Sequence, residues 1–111
     1  MDFKQALLWG RKAAEQGHAV AQQNIGTLYF YGAGVPKDFQ QAMIWFHKAA
    51  EQGVAEAQRY LGVMYSKGQG VPKDFQQAIV WYRKAAEQRD LEAQYQLGLI
   101  YSEVVRSEAH T

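Results

Sequence analysis

The chain has no cysteine and only two prolines in 111 residues. Lack of cysteine excludes a disulfide framework, a thiolate metal centre and a cysteine nucleophile, and it fits reducing and oxidising compartments alike. Scarce proline favours helices over a turn-rich β fold. Charge of one sign is also missing: 12 basic and 11 acidic residues are intermixed, for a net charge of +1. No field of that size argues for nucleic acid or an anionic membrane surface. No run approaches the roughly 20 apolar residues that a spanning helix needs, so membrane insertion is not expected. The opening residues Met1, Asp2, Phe3 and Lys4 do not form a basic segment followed by an apolar run, which leaves localisation open. What remains is 48% hydrophobic and 14% aromatic residues, enough to pack one domain over residues 1–111.

Self-similarity organises those residues. Asp2, Asp38 and Asp74 stand 36 apart, as do Phe3, Phe39 and Phe75, and Trp9, Trp45 and Trp81. The same offset relates Ala21, Gln22, Gly26 and Tyr29 to Ala57, Gln58, Gly62 and Tyr65, and again to Ala93, Gln94, Gly98 and Tyr101. Between Val35–Gln52 and Val71–Gln88 only Met43/Ile79, Ile44/Val80, Phe46/Tyr82 and His47/Arg83 differ, and all but the last exchange similar groups. What recurs is a packing unit.

Each unit contains two amphipathic helices. Phe39, Ala42, Met43, Phe46, Ala49 and Ala50 fall at the i, i+3, i+4, i+7 spacing of one helix face, with Gln40, Gln41, His47, Lys48 and Glu51 elsewhere. Asp38 can cap the first turn while Gln41 reaches back as in a capping box, and Pro36 keeps the chain before it non-helical. Asp74, Gln77 and Pro72 repeat this arrangement. Ala21, Ile25, Leu28 and Tyr29 form the face of the other helix, where Gly26 lets a neighbour approach, and Gly32, Ala33, Gly34 and Val35 make the turn. The reading is an all-α chain of six antiparallel helices over about 2–16, 19–32, 38–52, 55–67, 74–88 and 91–107, stacked as an α/α solenoid of about three 36-residue helix pairs.

The string Ala57, Gln58, Arg59, Tyr60, Leu61, Gly62, Val63, Met64, Tyr65, then Gly68, Gly70, Val71, Pro72, then Ala78, Trp81, Tyr82, Lys84, Ala85, Ala86, Glu87, Gln88 resembles a Sel1-like repeat. It differs from the related tetratricopeptide repeat, whose period is 34 and which usually carries tryptophan where Gln22, Gln58 and Gln94 stand. The resemblance implies a superhelix that binds other proteins, as adaptors in signalling, quality control and host interaction do. It allows exported, periplasmic and cytoplasmic locations. One secreted, cysteine-rich branch is associated with penicillin binding, but its disulfides cannot form here, so that activity is not carried over.

The ends depart from the pattern. Gly10 stands where Phe46 and Tyr82 supply an aromatic, and Ser102 to Ser107 replace the glycine turn. These ends are read either as native edges or as cuts through a longer array. In both cases a homo-oligomer through the terminal helices is an alternative function, separable by charging Leu97 or Tyr101.

Little chemistry is on offer. His18, His47 and His110 are the only histidines, and none lies three or four residues from another as a helical metal pair requires. Glu15, Glu51, Glu87 and the three aspartates recur once per unit, as caps and solvated helix ends do and a single catalytic dyad does not. Gly32, Gly34 and Gly68, Gly70 follow helices and lack a Gly-Lys-Ser/Thr ending, so they read as turns. No catalytic residue, metal or cofactor is expected. Gln22, Gln58 and Gln94 are expected to hydrogen-bond between helices, and the tryptophans to form a stacking ladder.

Function is then sought at positions that vary between units. On the inner face of the even helices these include Gln23, Thr27, Phe30 and Tyr31, then Arg59, Val63 and Lys67, then Tyr95, Leu99 and Glu103. Aromatic anchors with charges of both signs suit a peptide or partner helix, with Arg59 and Lys67 engaging an acidic group and Glu103 a basic one. The alternative is that these are ordinary exposed residues. Tyr60 faces either the groove or the next repeat.

Overall fold

The computed structural model describes residues 2–109, in which six helices follow one another without a strand. They are α1 (Phe3–Glu15), α2 (Ala19–Tyr31), α3 (Phe39–Glu51), α4 (Ala55–Lys67), α5 (Phe75–Glu87) and α6 (Leu91–Ala109). The bounds match the periodic reading, and α6 runs on as helix through Ser102–Ser107.

Local chemistry sets each start and stop. Asp2, Asp38 and Asp74 accept hydrogen bonds from the backbone N–H of Gln5, Gln41 and Gln77 at 2.9–3.1 Å, satisfying a donor that the first turn leaves free. The returning half of a capping box is not formed: neither the Gln41 nor the Gln77 side chain reaches back to its aspartate, so the cap is one-sided. Gly32 and Gly68 end α2 and α4 at φ 71°, the left-handed conformation that glycine adopts without penalty. The turn is then tied back, with Asp38 N–H donating to Tyr29 C=O at 2.9 Å and Asp74 N–H to Tyr65 C=O at 2.8 Å.

α2 and α4 each pack on the odd helix before them and more extensively on the one after, so α2–α3 and α4–α5 are the closed pairs, and α6 packs on α5. At their centres the Phe46 ring lies on Gly26 and the Tyr82 ring on Gly62, so close that a Cβ on either glycine would come within 2.7 Å of the ring. Leu61, Met64, Ala42, Ala49 and Ala57 complete a dry core around Phe46. Losing one such aromatic would cost about 3–5 kcal/mol in transfer and cavity terms.

A glutamine ladder runs along the stack. Gln22 Nε2 donates to Ala14 C=O and Gln58 Nε2 to Ala50 C=O, each at 3.1 Å, while their Oε1 atoms accept from Gln52 and Gln88 at 2.8 and 2.9 Å. One side chain thus ties three helices, the inter-helix role expected of these glutamines. Gln94 makes only the first bond, to Ala86 C=O at 3.2 Å. The tryptophans do not stack on one another. Instead, Lys12, Lys48 and Lys84 lie 4.6–4.9 Å over Trp9, Trp45 and Trp81, while Arg11 covers Trp45 and the edge of His47 meets Trp81 at 5.3 Å. Each lysine covers the indole of its own helix, and only Arg11 on Trp45 and His47 on Trp81 cross from one odd helix to the next.

The stack measures 57 × 26 × 19 Å with a radius of gyration of 15.4 Å. A compact globule of this length would have about 13 Å, so the chain is a rod section with long lateral faces.

Candidate partner-binding surface

The lateral face of the even helices carries an aromatic patch that crosses from one repeat to the next. Phe30 and Tyr31 lie at the end of α2, and Tyr60 of α4 stacks on Phe46 with centroids 4.6 Å apart and rings almost parallel. Phe30 meets Tyr60 edge-on at 5.2 Å, and the Tyr31 and Tyr60 hydroxyls share a hydrogen bond of 3.1 Å. Burial, together with that bond, pushes the Tyr60 phenol up to about 12, so it is neutral and available as donor or acceptor at any physiological pH. Tyr60 thus packs back on α3 and bonds Tyr31 of α2, and not on the unit that follows it.

Beside it, Arg59 lies 5.3 Å over the Tyr60 ring and its Nε donates to Asp90 Oδ2 at 3.2 Å, with Glu56 at 3.9 Å. Asp90 uses its other oxygen to cap α6, accepting from Ala93 N–H at 2.9 Å. Periodicity missed Asp90, because the same register holds His18 and Val54. The available signal was an acid at a helix start, one unit on from Arg59. Arg59 is thus already engaged by carboxylates, and an incoming acidic group would have to displace them.

The other singled-out residues divide. Gln23 is only 5% exposed and donates its amide to Thr27 Oγ1 at 3.0 Å, while Thr27 donates to Gln23 C=O. The expectation that Gln23 offers a contact is corrected: the pair closes on itself. Val63 is half-buried against the core around Tyr82, and Phe30 is half-buried among rings. Tyr31, Lys67, Tyr95 and Leu99 are exposed, and Lys67 has no acidic partner among the described residues. Glu103 is exposed but paired with Arg106 at 2.9 Å. The free surface is therefore Tyr31 with the Tyr60 hydroxyl, Lys67, Tyr95 and Leu99.

Among the described residues no three His, Cys, Asp or Glu side chains converge, and no helix is long and apolar enough to cross a membrane. His110 lies outside the described residues.

The Sel1 repeat family model matches residues 2–18, 19–54, 55–90 and 91–103, so that each of the two full matches is an even helix with the odd helix after it. The chain belongs to the Sel1 repeat family. Its boundaries fall where the closed pairs α2–α3 and α4–α5 begin and end, with α1 and α6 as the flanking halves. Sel1 repeat proteins generally mediate protein–protein interactions and are typically non-catalytic. A similar solved structure is a protective antigen of uropathogenic Escherichia coli displaying the Sel1-like repeat fold, at 44% identity and TM-score 0.89, covering 92% of this chain and 22% of that one. A Sel1 repeat protein from Oxalobacter formigenes matches at 46% identity and TM-score 0.85, covering 91% and 41%. Cysteine-rich protein B of Helicobacter pylori matches at 25% identity and TM-score 0.81, covering 87% and 73%. The sequence of this Sel1 repeat chain matches no curated protein.

Proposed function

We propose that this chain is a non-catalytic interaction module that holds a peptide or partner helix along the exposed face of α2, α4 and α6. The observation that carries this reading is the Tyr31–Tyr60 pair. Two phenols from successive repeats are locked by one hydrogen bond over a buried aromatic base, and the same set of even helices carries the exposed Lys67 and Tyr95. Rigid amphipathic rings of this kind give contact area at low entropic cost, and Lys67 adds the free positive charge that Arg59 lacks. The partner is therefore an apolar or aromatic segment with an acidic residue near its Lys67 end.

The test uses Tyr31→Ala, Lys67→Ala and Tyr95→Ala, all at exposed positions where the fold should persist. A binder selected on the wild-type chain should lose affinity for the Tyr31 and Tyr95 variants while thermal unfolding is unchanged. Binding indifferent to all three would overturn the reading.

A second reading is self-assembly through the ends, favoured by the 60% exposure of Trp9 on α1 and by the uncovered outer side of α6. It requires a mass that rises with concentration in sedimentation equilibrium and falls back in Leu97→Glu. A monomer at every concentration rejects it.

A further inference from the structure

The step from α2 to α4 is internal to the stack, with α1, α3 and α5 packed around it, and it leaves three rings at a corner. Phe30 meets Tyr31 at 78° and Tyr60 at 63°, and Tyr31 meets Tyr60 at 83°, with centroids 4.9, 5.2 and 6.4 Å apart. Phe46 and Arg59 lie against the Tyr60 ring, so its hydroxyl is the part left to a ligand, while Tyr31 stays 61% exposed. Rings set at these angles do not form the parallel slot that a planar aromatic guest enters. They form a corner for a puckered ring, whose C–H groups pack on an aromatic face.

The hydroxyls set the polar side of the match. Tyr31 and Tyr60 carry two O–H protons and spend one in their mutual bond of 3.1 Å, with no other partner among the described residues. One proton is left to donate outward. A helical ligand already has its carbonyls bonded four residues on. A strand-like ligand gains most from a sheet edge, and the described residues contain no strand. A polyproline II segment leaves its carbonyls unbonded and presents proline rings on the same surface.

The spacing of the repeat fits that conformation too. Packed helices lie roughly 8–10 Å apart, and a polyproline II turn of three residues advances about 9 Å. Every third ligand residue therefore returns to the face at the next even helix. One unit on from Tyr31 in the same register stands Lys67, exposed and without a carboxylate among the described residues. We infer that the α2–α4 face binds a proline-rich segment in the polyproline II conformation, with a proline in the Tyr31–Tyr60 corner and an Asp or Glu three residues away on Lys67. This rests on the interaction role proposed above and names the class of partner, extended and not helical.

The probe is a fluorescein-labelled heptapeptide of five prolines flanked by an aspartate at each end, so that the central proline stands three residues from an acid in either chain direction. Titrated against the whole chain by fluorescence anisotropy, it should bind saturably and one to one. Tyr31→Ala should weaken binding at least about tenfold, and Lys67→Glu should transfer the preference to a lysine-flanked version of the peptide. Both positions are exposed, so the thermal midpoint should hold. Tyr31→Phe and Tyr60→Phe each keep one hydroxyl proton, so only the double variant should lose the donor, at a cost of about fivefold. Equal binding of the peptide with glycine in place of proline overturns the inference, since charge alone then suffices. Tighter binding of a stapled helix with a tyrosine and an aspartate seven residues apart also overturns it, because the occupant is then a helix. If the proline peptide does not bind while a binder selected on the chain still depends on Tyr31 and Tyr95, the inference falls and the interaction role stands. If that dependence is missing as well, both fall.

Discussion

Leu61 and Leu97 are the same residue in the same register of the same repeat, yet one is fully enclosed and the other half-open. Gly62 and Gly98, Gln58 and Gln94 differ in the same way. The comparison teaches that a repeat residue carries no fixed energetic value. Its contribution depends on whether the next odd helix is present, because apolar burial and amide pairing are properties of an interface.

The largest test of that contrast is a pair of identical substitutions. Gly62→Leu should destabilise the chain by about 3 kcal/mol, because the Tyr82 ring it would strike is itself buried and cannot retreat. Gly98→Leu should instead stabilise by roughly 0.5–1 kcal/mol through helix propensity, and urea denaturation would show the two moving in opposite directions. If both shift the midpoint alike, the α6 face is not open.

Next come the glutamines. Gln58→Ala removes a buried bond to the Ala50 carbonyl and the bond from the Gln88 amide, at an expected cost of about 1–2 kcal/mol, since Ala50 C=O still accepts from Gly53 N–H and Gln88 Nε2 still donates to Gly53 C=O. Gln94→Ala at an exposed position should fall within about 0.5 kcal/mol of wild type. Equal losses would mean that the ladder does not depend on the following repeat.

A smaller effect distinguishes the middle unit from its neighbours. Arg11 and Arg83 donate to Tyr29 and Tyr101, but their counterpart is His47, half-buried against Trp81. Burial lowers its pKa below 6.5, only partly offset by Glu51. The unfolded chain therefore binds this proton more readily, so stability is complete above about pH 6.5 and falls as acid takes the pH below it. Denaturation midpoints at pH 7.5 and 5.5 should differ less in His47→Gln than in wild type.

The smallest effect concerns Arg89, at φ 69° where Gly17 and Gly53 hold the same register. Arg89→Gly should relieve about 1 kcal/mol of left-handed strain, less whatever the longer side chain contributes to packing, and raise the thermal midpoint by a few degrees.

Much of this was legible in the residues. The period placed six helices to within a residue or two, because apolar spacing, aspartate caps and glycine stops all agreed. The glutamines were legible for the same reason: a polar residue held at identical register on an apolar face must find its partner within the repeat. Gln23 was misjudged because its variation between units suggested a free contact, whereas Thr27 one turn away satisfies it. Asp90 and Tyr60 were hidden because their partners, Arg59 and Phe46 with Tyr31, come from other helices in a register unique to one junction.

Periodicity thus dictated the helices and their caps, since those follow from the spacing of apolar groups along a 3.6-residue turn and from the residues that flank it. Which groups remain available was decided only in three dimensions. A charge or ring is free or spent according to what the adjoining repeat brings within a few ångströms, and Arg59 spent on Asp90 while Lys67 of the same helix stays unpaired is the result of that closure.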